Sequence, residues 1–167
     1  MERISLYFNA VCDISIVNRE TKIIEPLAVY SEDKVVRSQI EKLFSQHVVR
    51  LGEGMVGKVI ESGSEMVLQT VPKAMVEGKK AHPSITPVSV VYMPIVGADS
   101  VIGSLNVTRV IGSSEFTEEE IDQIRRIGQY ISVFVQNTVL SMSQRAEMDK
   151  RIEFERKLEL EKRWAEY

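Results

Sequence analysis

The last third of the chain sets the strongest constraint. No proline occurs from 117 to 167, and Gly128 is the only glycine there. Thr117-Glu118-Glu119-Glu120 opens this stretch with capping-box spacing, and its acidic first turn suits the helix dipole. One long helix is therefore expected. Its apolar stripe, Ile121, Ile124, Ile131, Val135, Thr138 and Met142, advances by threes and fours, with Gly128 filling the gap. This stripe is expected to meet the same helix of a second copy. Ile127, Phe134 and Val139 are expected on the domain side.

The composition changes near residue 144. From Gln144 to Tyr167, 14 of 24 residues are charged, seven of each sign. Glu153 with Lys157, and Glu159 with Arg163, are favourable i, i+4 pairs. So polar a helix gains little from burial against its own domain, and a partner helix would stabilise it, most simply in a dimer. The pattern runs to the final residue without a C-cap, so a longer parent protein is expected.

The rest alternates short strands and short helices. Ile4, Tyr7, Phe8 and Val11 share a helical face over residues 2–11. Asp13 to Val17 alternates, Asn18 to Thr21 is a turn, and Lys22 to Tyr30 is a returning strand in which Pro26 implies an edge or a bulge. Ser31-Glu32-Asp33 offers caps for a helix carrying Val36, Ile40, Leu43 and Phe44. Gly52-Glu53-Gly54 breaks the chain before a short helix ending at Gly63. Glu65 to Thr70 is a strand, and 71–86 is a loop. Val88 to Val96 and Val101 to Val110 form a hairpin about Gly97-Ala98-Asp99-Ser100, with Gly103 implying a close backbone approach.

Several kinds of chemistry lack support. The chain has 167 residues and a formal charge of −3, which argues against a dedicated nucleic-acid binder. No apolar run approaches the roughly 18 residues of a membrane span. The first residues lack a secretory cleavage pattern, so a cytoplasmic location is expected. Cys12 is the sole cysteine and His47 and His82 the sole histidines, which excludes an internal disulfide and leaves little for a metal site. Gly52 to Val59 lacks the final hydroxyl of a phosphate-binding loop, and Glu53 would repel phosphate. No nucleophile and base converge in the sequence, so no enzymatic activity is expected. Cys12 is expected to be a small core residue beside the first helix.

Four stretches together resemble the GAF domain family. They are Asp13–Val17 with its turn and return strand; Leu51-Gly-Glu-Gly-Met-Val-Gly-Lys-Val59 with Glu61-Ser-Gly63; Val91–Val96 with Val101–Val107; and Phe116–Glu120 with the helix to Leu140. The resemblance implies an α/β (α+β) fold, with an antiparallel sheet of five to six strands flanked by helices. It implies a domain over 1–140 and a charged signalling-helix linker over 141–167. It further implies a small-molecule sensor for an output domain, such as a chemoreceptor hairpin or a histidine kinase, with a ligand-free dimerisation module as the alternative. Asn106 and Phe116 match the cyclic-nucleotide signature of the family. Val107 replaces its Lys and Glu120-Ile121 its Asp-Glu, so cyclic nucleotides are not expected, nor are haem, bilin or metal. The expected pocket is lined by Gln69, Val71, Met75, His82, Ser89 and Tyr92, from the 71–86 loop and its flanking strands.

Overall fold

In a computed structural model, the chain is described over residues 1–71, 86–110 and 112–165. Four helices and six strands lie there: α1 (Glu2–Phe8), β1 (Val11–Val17), β2 (Ile23–Tyr30), α2 (Lys34–Gln46), β3 (Val49–Arg50), α3 (Gly54–Ser62), β4 (Met66–Leu68), β5 (Pro87–Val96), β6 (Val101–Val110) and α4 (Glu118–Ala165). The strands form one antiparallel sheet in the order β3-β2-β1-β6-β5-β4. A six-stranded sheet, within the expected five to six, and the long final helix are thus present.

Local chemistry accounts for most boundaries. Asn18 Oδ1 accepts the Glu20 and Thr21 amides in the β1–β2 turn. The β1–β2 register shifts opposite Pro26, so the proline sits at a bulge. Asp33 Oδ1 accepts the Val35 and Val36 amides and caps α2. Gly63 ends α3 in the left-handed region, at φ 67°. Thr117 and Glu120 bond each other's backbone amides reciprocally, completing the capping box of α4. The first helix is shorter than expected: it ends at Phe8, and Val11 already belongs to β1. Asn9, with φ 45°, turns the chain there.

The described residues form two compact units, Met1–Ser132 and Val133–Tyr167. In the first, the main core lies between the sheet and the helices α1 and α4. Cys12, Ile14, Ile95, Leu105 and Val107 point to that side, with Phe8, Ile121 and Ile124 among the largest buried side chains. A Cβ on Gly103 would stand 2.2 Å from the Ser15 carbonyl oxygen, so only glycine permits this β1–β6 approach. The second unit is helical to Ala165, with Arg151–Glu155 and Glu153–Lys157 ion pairs at 3.1 and 2.9 Å. Of the two favourable pairs expected there, Glu153–Lys157 forms, whereas the Arg163 side chain lies outside the described residues.

Two expectations for α4 are corrected. Ile121 and Ile124 are 1% and 0% exposed within the single chain, so they belong to the domain core and offer nothing to a second copy. Val135 is buried too, Ile131 is half-buried, and Thr138 and Met142 are exposed. Phe134, expected on the domain side, is 73% exposed. A helical period fixes a stripe but not which neighbour claims it, and at Ile121 and Ile124 the domain took the assigned partner face.

Candidate functional site

Residues directly opposite each other in a sheet share a face. Asp13 is opposite Asn106, Ser15 is opposite Ser104, and Tyr92 is opposite Asn106. These five polar side chains therefore share the sheet face turned away from α1 and α4, here called the inner face. Asn106 Nδ2 donates to Asp13 Oδ2 at 2.6 Å, Ser15 Oγ donates to the same oxygen at 3.4 Å, and Ser104 Oγ donates to Asn106 Oδ1 at 2.5 Å. Asp13 is 8% exposed, and among the described residues no cation pairs with it. Burial pushes its carboxyl up to about 6, against the lowering pull of Asn106 and Ser15. Burial, assisted by the Asp13 charge, pushes the Tyr92 phenol up to about 12.

A cleft of about 760 Å³ lies at one end of this face. Its floor is Val11, Val36 and Val110, which pack together with Ile40 beside them. Val11 is two residues before Asp13 on β1 and so shares its face. Glu32 and Asp33 stand on the wall.

The outer face carries a different arrangement. Arg109 donates through Nε and Nη2 to the Phe8 carbonyl, through Nη1 to the Glu115 carbonyl, and through Nη1 and Nη2 to the Glu120 carboxylate. Its guanidinium also lies 4.3 Å from the Phe116 ring centroid. One side chain thus ties the end of α1, strand β6 and the start of α4. The Arg109 hydrogen bonds hold the Glu120 carboxyl below its ordinary value.

The expected pocket residues do not converge. Ser89 is opposite Arg109 and therefore on the outer face, where its hydroxyl donates to Gln69 Oε1 at 3.1 Å. Gln69 Nε2 donates in turn to the Phe116 carbonyl at 2.7 Å. Both residues brace the start of α4, on the side opposite Tyr92. The reason is the strand period: positions 89 and 92 differ by an odd number, and no bulge falls between them. The Val71 amide donates to the Val88 carbonyl and extends the β4–β5 edge. Met75 and His82 lie outside the described residues. Of the described ones, only Tyr92 joins the polar face. Asp13, Ser15 and Ser104 escaped sequence reasoning, because alternation with Ile14, Ile16 and Leu105 reads as a solvent-facing polar row.

Cys12 lies in β1 on the outer face rather than on a helix, fully buried, and burial pushes its thiol up to about 12. That favours the neutral thiol of a core residue. Among the described residues, no group of three His, Cys, Asp or Glu could hold a metal ion, and no helix is long and apolar enough to cross a membrane.

Comparison with known proteins places this geometry. The GAF domain family model matches residues 12–136. The GAF domain of an Acinetobacter phosphoenolpyruvate-protein phosphotransferase is similar at 16% identity, covering 83% of this chain and 79% of that one, with a TM-score of 0.62. The GAF-B domain of DevS from Mycobacterium smegmatis is 13% identical over 86% of this chain and 90% of its own, with a TM-score of 0.60. A GAF domain/HD domain protein from Geobacter sulfurreducens is 13% identical over 83% of this chain and 91% of its own, with a TM-score of 0.59. Identities this low support the fold alone. No curated protein matches in sequence.

Proposed function

The chain belongs to the GAF domain family, and on that premise we propose that it is a non-catalytic sensory module whose inner sheet face reads a small molecule and passes the result to an output domain through α4. The carrying observation is the buried Asp13–Asn106–Ser104–Ser15 cluster. No cation pairs with this buried carboxylate among the described residues; such burial costs stability, so its place in the middle of a sheet calls for a purpose other than folding. Strand β6 supplies the path. Asn106 bonds Asp13 on the inner face, and three residues on, Arg109 holds the start of α4 on the outer face. A ligand that alters the first contact favours one setting of the second, which is a shift between populations.

A thermal-shift panel of amino acids, organic acids, amines and small aromatics tests this reading. A ligand at a hundred times its dissociation constant contributes about 2.7 kcal/mol, which raises the midpoint by roughly 5 °C or more. The gain should fall in Tyr92→Phe and in Asp13→Asn. A gain identical in both variants would move the site elsewhere.

A second reading, a dimerisation module, rests on another observation. Arg3, Ile4, Tyr7, Gln123, Arg126 and Ile127 line a groove of about 430 Å³ between α1 and the first part of α4, while Leu6, Tyr7 and Tyr130 are exposed beside it. Such a face suits a second copy. Tyr7→Glu should convert a dimer to a monomer in analytical ultracentrifugation if this groove is the interface.

A further inference from the structure

We infer that the cleft at the end of β1 and β6 binds a small organic cation, an ammonium or amidinium head on an apolar body, with Glu32 and Asp33 taking the head and Val11, Val36 and Val110 taking the body. The inference rests on the reading of the inner face as the ligand-reading surface, and names the chemistry read there.

Size and lining come first. A volume of about 760 Å³ falls within the range of small-molecule sites. Val11 and Val36 are nearly fully buried, so the floor is a packed apolar surface rather than a loose surface dent. The remaining lining is Ala10 and the polar residues Ser31, Ser113, Asn9 and Ser5, the last with its hydroxyl already donated to the Ala10 carbonyl. Charge then selects the ligand. Among the described residues, both charged members of the lining are acidic, and no lysine, arginine or histidine lines the cleft.

Two of the neighbouring positive groups are already occupied. The amides at the start of α2 would ordinarily attract an anion. Here Asp33 Oδ1 already accepts two of them, at 2.8 and 3.3 Å. Arg37, one turn along α2, bonds Glu41 at 3.0 Å. Further along the same face stands Asp13, again a carboxylate without a cation among the described residues. An anion entering here would meet acidic groups at the wall and beyond the floor. A cation would meet complementary charge at both, and its apolar body would cover the valines.

The test uses the 167-residue chain with its valine methyl groups resolved by NMR, titrated at pH 7.5 with benzylamine, benzyl alcohol and benzoate. These probes share one apolar body and differ in head charge. Benzylamine should shift the Val11, Val36 and Val110 methyls saturably and bind at least about tenfold more tightly than benzyl alcohol, while benzoate gives no saturable shift. The double variant Glu32→Gln, Asp33→Asn should reduce benzylamine to the affinity of benzyl alcohol. Asparagine caps a helix as well as aspartate does, so the thermal midpoint should stay put and the loss can be assigned to charge. Benzoate or benzyl alcohol binding as tightly as benzylamine would overturn the cation assignment, as would undiminished benzylamine binding in the double variant. If benzoate shifts these valines or Tyr92, the inner face still reads a ligand and only the cation is lost. If no probe moves any inner-face signal, both readings fall.

Discussion

Asn106 and Arg109 stand three residues apart on β6, on opposite faces of one sheet, and the two faces treat charge in opposite ways. On the outer face, the Arg109 guanidinium meets a carboxylate, two carbonyls and an aromatic ring. On the inner face, Asp13 is as deeply buried but, among the described residues, meets only an amide and a hydroxyl. The first arrangement locks three elements together. The second leaves a charge whose burial is only partly compensated. Satisfied networks make a fold unique, whereas partly satisfied ones are where a ligand has something to add. The difference separates the part of the molecule that holds α4 from the part that can be read.

The largest expected effect comes from breaking the locked side. Arg109→Met should leave the Phe8 and Glu115 carbonyls and Glu120 without their donor, lowering stability by about 4 kcal/mol in urea unfolding. A loss below about 1 kcal/mol would mean the network is ornamental. Next, Gly103→Ala drives a methyl group into the Ser15 carbonyl, at the seam that carries both faces. About 3 kcal/mol should be lost, with the Asp13–Asn106 contact loosened in the NMR spectrum.

The unlocked side should respond in the opposite direction. The Asp13 carboxyl lies near 6 in the folded chain against 3.8 for the ordinary group. The native state therefore holds this proton more tightly than the unfolded state does. Its contribution is fully present below about pH 4, is lost as pH rises through about 6, and stays lost above. Asp13→Asn should thus gain on the order of 2 kcal/mol at pH 7.5 and nothing near pH 4. A variant less stable than the parent at pH 7.5 would sink the uncompensated carboxylate. The smallest effect belongs to Arg125, which bonds Glu65 and Asp122 at the surface. Arg125→Gln should cost about 0.5 kcal/mol or less, and less again in salt.

Local chemistry made much of the fold legible. The Thr117/Glu120 box, the Gly63 cap, the Asn18 turn and the Gly103 approach each follow from one or two residue types acting on their own neighbours. Which side of α4 meets the domain was not legible, because Ile121 and Phe134 look alike until the sheet is in place. The candidate site was less legible still. Asn106 was visible as a matching position, but its partner Asp13 is 93 positions away, and only the β1–β6 register brings the two together. Ser89 and Tyr92 both lie on the strand flanking the 71–86 loop, but the strand period sends them to opposite faces.

The division between the two faces turns on the charge of one buried group. Carbon-13 NMR of the Asp13 side-chain carboxyl, followed from pH 3 to 9, reads it directly. A midpoint near 6 is predicted, and it should fall on addition of benzylamine. A midpoint at or below the ordinary 3.8 would show a compensated carboxylate and contradict the division between a locked face and a reading face.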